Sequence, residues 1–165
     1  MGLALSNNKK IYITYINKGK EFNKDLIKVR LKPNYINKPT EAFWGSPENA
    51  EYGWKEWCKS EEFGDYDFDN PIRWKLKDGS KIYTINLKSV TTINGISKLS
   101  RYIINNELES MIYLNYRQMR NNNIAAVELL DARVGHLFMN KIELSFNGWD
   151  CESIVVLDPS KIIFL

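Results

Sequence analysis

The chain is poor in the residues that most often carry chemistry on their own. It has one histidine, His136, and two cysteines, Cys58 and Cys151, among 165 residues. A zinc site needs several nitrogen, sulfur or carboxylate ligands at suitable spacing, and the sequence around His136 offers none. No Gly-x-Ser-x-Gly surrounds any serine, so a Ser-His-Asp arrangement has no recognisable context. The cysteines lack metal-ligand or redox spacing and read as reduced core thiols of a cytoplasmic protein. No apolar run approaches the ~18 residues of a membrane helix, and the apolar segment after Met1 is too short for a signal peptide. Gly2 and Ser6 match only the loose pattern of a myristoylation site. With neither Gly-x-Gly-x-x-Gly nor Gly-Lys-Ser/Thr, the common phosphate-cradling loops are absent too.

What remains is an ordinary globular composition, 44% hydrophobic and 26% charged, which predicts one domain over residues 1–165. The net charge of +3 is unevenly spread. Residues 1–40 carry nine Lys/Arg against two acidic residues, and residues 41–70 carry nine acidic residues against two Lys. A basic lobe can steer a phosphate-bearing partner, and equally the two clusters can partly neutralise each other in water. Nucleic acid as a partner has no recognition motif behind it.

The pattern alternates between strand and helix signals. Residues 11–16 are β-branched and aromatic and predict a strand, while 21–32 fit either a helical stripe or a strand before Pro33. Ala42-Phe43-Trp44-Gly45-Ser46-Pro47 reads as a strand running into a helix, with Ser46 as N-cap and Pro47 at the first helical position. Ala50, Trp54, Trp57 and Cys58 then form one stripe of a helix over 48–60. Residues 61–70 read as an acidic connection. Residues 72–87 predict a hairpin turning at Asp78-Gly79. Helices are predicted near 95–104 and over 106–120, and strands at 124–129, 142–144, 153–157 and 161–165. The fold class is α+β, mixed, with mainly antiparallel sheets and flanking helices.

Three constellations point to chemistry. Asp150 and Glu152 stand directly before the apolar run Ser153-Ile154-Val155-Val156-Leu157. In a strand they would share one face, where a carboxylate can accept a sugar hydroxyl and stabilise positive charge at an anomeric carbon. The plainer alternative is a pair of turn carboxylates beside Gly148-Trp149. In the second, which runs from Lys38 to Pro47, Phe43 and Trp44 point to opposite faces, so one packs inward while the other offers a flat surface to an aromatic or pyridinium ring; Ser46 either caps a helix or binds a ligand. In the third, Tyr12 and Thr14 make a polar stripe that fits a ribose or phosphate, or faces water.

Together these segments resemble the ADP-ribosyltransferase family, especially its compact phage and bacterial members. Asp150-Cys151-Glu152-Ser153-Ile154-Val155-Val156 is similar to the Glu-x-Glu or Gln-x-Glu motif that opens a late apolar strand in that family. Phe43-Trp44-Gly45-Ser46 is similar to its central aromatic-Gly-Ser segment, and Tyr12-Ile13-Thr14 falls where the first strand contributes a ribose-binding residue. No Arg or His stands in that first segment, where most active members carry one, and Asp150 is one methylene shorter than the usual residue.

The resemblance implies an ADP-ribosyltransferase-like fold and transfer of ADP-ribose from NAD to a macromolecular acceptor, a host or bacterial protein or, with less behind it, nucleic acid, with nicotinamide released. It implies Glu152 as the catalytic carboxylate, Asp150 as its weaker partner, and Tyr12, Thr14, Phe43, Trp44 and Ser46 around the dinucleotide. The competing expectation is a non-enzymatic binding or inhibitory module, such as an inactive transferase fold of phage type acting through its acidic 61–70 segment.

Overall fold

A computed structural model describes residues 2–5, 9–33, 38–86, 102–106, 111–130, 136–139, 142–146 and 149–165. In chain order the elements are β1 (Gly2–Leu5), β2 (Tyr12–Thr14), β3 (Arg30–Pro33), β4 (Pro39–Glu41), β5 (Phe43–Pro47), α1 (Trp54–Ser60), β6 (Ile72–Leu76) and β7 (Lys81–Asn86). There follow β8 (Ile103–Asn106), β9 (Met111–Leu114), α2 (Tyr116–Asn121), β10 (Ile124–Leu130), β11 (His136–Met139), β12 (Ile142–Ser145), β13 (Ser153–Val156) and β14 (Ile162–Phe164). Eight of the strands form one sheet in the order β1-β7-β10-β13-β5-β2-β6-β14. Within it only β7 and β10 run parallel. The α+β class with mostly antiparallel pairing therefore holds.

The sheet folds back on itself. Tyr12, Phe43, Trp74 and Leu76 from β2, β5 and β6 pack in one buried cluster with Ile82 of β7, Ala126 of β10, and Ile154 and Val156 of β13. The alternate residues of β7, β10 and β13, among them Tyr83, Ile85, Val127, Leu129 and Val155, face a second core shared with Leu114, Tyr116, Met119, Phe146 and Trp149. Because successive strand residues point to opposite faces, β10 and β13 are buried on both sides and are accordingly apolar almost throughout.

This folding explains why the predicted hairpin does not form, although both of its strands do. The turn is present: the Ser80 N–H donates to the Lys77 carbonyl at 3.1 Å, and Gly79 takes φ +75°. Asp78 keeps a negative φ. The type I′ turn that matches strand twist needs positive φ at both central residues. Here the turn instead carries the chain across the inner core, and β6 and β7 end up with four strands between them in the sheet order.

The helices are shorter than predicted. α1 begins at Trp54, not near residue 48, because Gly53 serves as its N-cap and its N–H donates to Glu56 Oε2 at 3.0 Å. Within the predicted helix over 106–120, residues 111–114 form β9 instead. The Asn115 side chain accepts the Gln118 N–H at 3.0 Å and starts α2 there. An Asx cap of this kind sets a helix start wherever it falls, here in the middle of the expected one. The predicted helix over 95–104 lies mainly outside the described residues, and its end at Ile103 belongs to β8. The ambiguous 21–32 segment resolves into a 3₁₀ turn at Lys24–Leu26 followed by β3.

Candidate active site

The site forms where β2 and β5 part. The two strands pair at Tyr12↔Pro47 and Ile13↔Ser46. One residue further on, the Thr14 hydroxyl donates to the Trp44 carbonyl and accepts from Trp74 Nε1 at 2.9 Å. Trp74 itself is fully buried in the inner core. A Cβ on Gly45 would lie 2.7 Å from Trp74 Cζ2 and 3.0 Å from the Ile13 carbonyl, so glycine is what allows the indole and the strand to approach this closely. Above this seam lies a cleft of about 260 Å³.

Its walls come from separate parts of the chain: Ile13, Thr14 and Tyr15; Trp44, Gly45 and Ser46; Trp54 and Tyr66; Asp150 and Ser153; and Lys38. Trp44 is half-buried and makes an edge-on contact with Trp149, with ring centroids 4.8 Å apart. Lys38 places its amine 5.3 Å from the Trp44 ring centroid. Burial pulls the Lys38 pKa below its ordinary value, and the charge of Asp150 opposes this only in part. Among the lining residues, Asp150 is the one carboxylate and Lys38 the one amine. An anionic and a cationic group beside a half-buried indole can orient a ligand that carries both charges and a flat ring.

The serines have structural work as well. Ser46 Oγ accepts the N–H of Trp54, the first residue of α1, at 2.9 Å. The expectation that Ser46 is the N-cap of a helix starting at Pro47 is corrected: Pro47 belongs to the strand, Gly53 is the N-cap, and Ser46 meets the helix start only through space. Ser153 Oγ donates to the Cys151 carbonyl at 2.9 Å. Burial pushes the Cys58 thiol up to about 11 and also raises that of Cys151. Both thiols are protonated at neutral pH, and neither is poised as a nucleophile.

The expectation that Asp150 and Glu152 lie in a strand and share its face is corrected. The strand begins only at Ser153, and Asp150 stands before a bend at Cys151 and Glu152 that leads into it. The Glu152 N–H leaves the ladder to donate to the Tyr52 carbonyl at 3.1 Å. Asp150 lines the cleft and Glu152 is not among its lining residues.

The other expected site residues divide in a similar way. Thr14, Trp44 and Ser46 converge on the cleft with Asp150. Tyr12 shares the inward face with Thr14 but is fully buried, its ring centroid 5.0 Å from that of Trp74 with the planes tilted by 30°. Phe43 points to the opposite face from Trp44 and packs in the inner core against Trp74 at 5.2 Å. Lys38, Tyr15, Trp54 and Tyr66 were not expected in the site. Trp54 reads as core stripe and Tyr66 as part of an acidic connection, and only the position of Lys38 at the head of the 38–47 segment hints at its place.

Among the described residues there is no cluster of His, Cys, Asp and Glu that could hold a metal ion, and no helix is long and apolar enough to cross a membrane. No family model, curated protein or solved structure matches the chain.

Proposed function

We propose that the chain transfers ADP-ribose from NAD to a macromolecular acceptor and releases nicotinamide, on an ADP-ribosyltransferase-like variant of its α+β fold. One observation carries this reading: Thr14, Trp44, Ser46 and Asp150, expected from three distant segments, line a single cleft. Its volume of about 260 Å³ suits one nucleoside end of a dinucleotide, with the remainder lying over the rim.

In this reading the Trp44 ring packs against the nicotinamide and Lys38 takes up phosphate charge. Asp150 accepts a ribose hydroxyl and stabilises the positive charge that develops at the anomeric carbon as the bond to nicotinamide breaks. Nicotinamide leaves with the bonding electron pair, and an acceptor nucleophile forms the new bond, its proton passing to Asp150 or to water. The resemblance gives the leading part to Glu152. The cleft lining favours Asp150, and Glu152, in the bend beside it, is the supporting carboxylate.

Nicotinamide release, followed after mixing the protein with NAD and candidate proteins, tests the reading. Asp150→Asn and Glu152→Gln are expected to lower it, Asp150→Asn the more strongly. Full activity in both variants would sink the assignment.

A second reading is a non-enzymatic binding or inhibitory module on the same scaffold. It draws on the Thr14 hydroxyl, which is engaged by both Trp44 and Trp74, and on the absence of Glu152 from the lining. NAD titration separates the two: failure to bind at millimolar concentration favours the second.

A further inference from the structure

We propose that the aromatic surface bordering the cleft docks an arginine-rich segment of a partner protein. The surface begins inside the cleft, where Trp54 and Tyr66 form part of the wall. Trp54 stacks on Trp57 with ring centroids 4.9 Å apart and planes 21° from parallel. Phe63 leans on Trp57 at 5.0 Å and meets Trp54 edge-on at 5.9 Å. Tyr66 meets Trp54 edge-on at 5.8 Å, so the rings run without a break from the cleft to open surface.

Phe63 is 47% exposed, yet its backbone is firmly held. Its N–H donates to the Cys58 carbonyl at the end of α1 at 2.9 Å, and it lies between two residues of left-handed backbone, Glu62 at φ +51° and Gly64 at φ +69°. A Cβ at Gly64 would lie 2.4 Å from the Tyr66 ring, so this loop is built around that ring. A half-exposed phenyl that packs on two indoles and is fixed by its backbone ends the aromatic run at open surface, the form of an interface anchor.

Charge decides what the anchor meets. Glu61 and Glu62 directly precede Phe63 and are exposed, as are Glu51 and Asp69 of the same 41–70 segment, where nine acidic residues stand against two Lys. A nucleic acid could stack its bases on the rings, but its phosphates would lie against these carboxylates. A guanidinium satisfies both features, since it stacks flat on indole faces and pairs with carboxylates. Only the partner's role as an acceptor rests on the transferase reading.

Calorimetric titration with a short peptide of alternating Arg and Gly tests the inference, with its Lys counterpart and a single-stranded oligodeoxynucleotide as controls. Saturable binding of the arginine peptide is expected, weaker for the lysine peptide. Phe63→Ala, and separately Glu61→Gln with Glu62→Gln, should each weaken binding about tenfold at low salt. No saturation by millimolar peptide, unchanged affinity in both variants, or equal binding of the oligonucleotide overturns it. NAD is titrated separately into the same protein. Peptide binding without NAD binding supports the docking surface and counts against the transferase reading, whereas NAD binding without peptide binding overturns the docking surface alone.

Discussion

Lys10 and Lys38 each lie over an aromatic ring beside a carboxylate, in the same sheet assembly, yet their surroundings differ. Lys10 places its amine 5.8 Å from the Tyr12 ring centroid and pairs with Glu128; Lys38 lies 5.3 Å from that of Trp44, close enough to Asp150 to feel its charge. Glu128 is 2% exposed, and its second oxygen accepts from the Thr84 hydroxyl at 3.3 Å. Burial first, and then the charge of Glu128, hold the Tyr12 hydroxyl far above its usual pKa. The difference follows from strand pairing. Glu128 is paired on one side to Ile154 and on the other to Thr84, so its side chain is fixed in the interior of a complete ladder. Asp150 precedes the first residue of β13 and stands at the cleft, where the ladder has not begun. The same chemistry is locked in one place and available to a ligand in the other.

The largest expected effect tests the available pair. Asp150→Asn should lower nicotinamide release by about a hundredfold, as removal of one preorganised transition-state contact does, while thermal stability stays within about 0.5 kcal/mol. Unchanged turnover in a folded variant would break the contrast at its functional end. Lys10→Met should do the reverse. It leaves the buried Glu128 without its cation at a cost of about 2 kcal/mol, seen as a melting temperature lower by about 4–8 °C, with turnover preserved. Adding Glu128→Gln to Lys10→Met removes the stranded charge and should recover much of that loss. A double variant no more stable than Lys10→Met would show that the pair is not coupled.

The parts of the fold that could be read in advance are those set by local chemistry. The β-branched and aromatic runs at 11–16, 124–129 and 153–157 became β2, β10 and β13 because burial and strand propensity agree there. What escaped was set by distant contacts. Asp78-Gly79 makes a turn, but which strands its arms pair with depends on how the sheet folds over Trp74 and Ile82. The Ser46 hydroxyl reaches a helix eight residues away, a contact no N-cap rule anticipates. At the site, Thr14, Trp44, Ser46 and Asp150 were singled out from sequence, and the fold brings them to one cleft. Tyr12 and Phe43 were not legible as core, because residue type alone does not say which face of a strand closes. Lys38 and Trp54 gain their meaning only from the strands and helix that bring them to the cleft.

Lys38 gives the smallest effect and the most pointed one, because its sign is opposite to that of Lys10. Burial makes the folded chain hold the Lys38 proton less tightly than the unfolded chain does. Charging Lys38 therefore opposes folding, and stability should rise with pH from its lowered folded value up to its unfolded value near 10.4. Over the same alkaline interval the ammonium that attracts phosphate is lost, so NAD affinity should fall as stability rises. Lys38→Met should flatten both profiles. It should also weaken NAD binding about fivefold to tenfold at neutral pH, the scale of one charge-assisted contact, while leaving the protein as stable as the parent or slightly more so. Thermal melts and NAD titrations from about pH 8 to about pH 10.5 read both quantities across the relevant range. Parallel rather than opposed profiles would mean that Lys38, like Lys10, serves the fold and not a ligand.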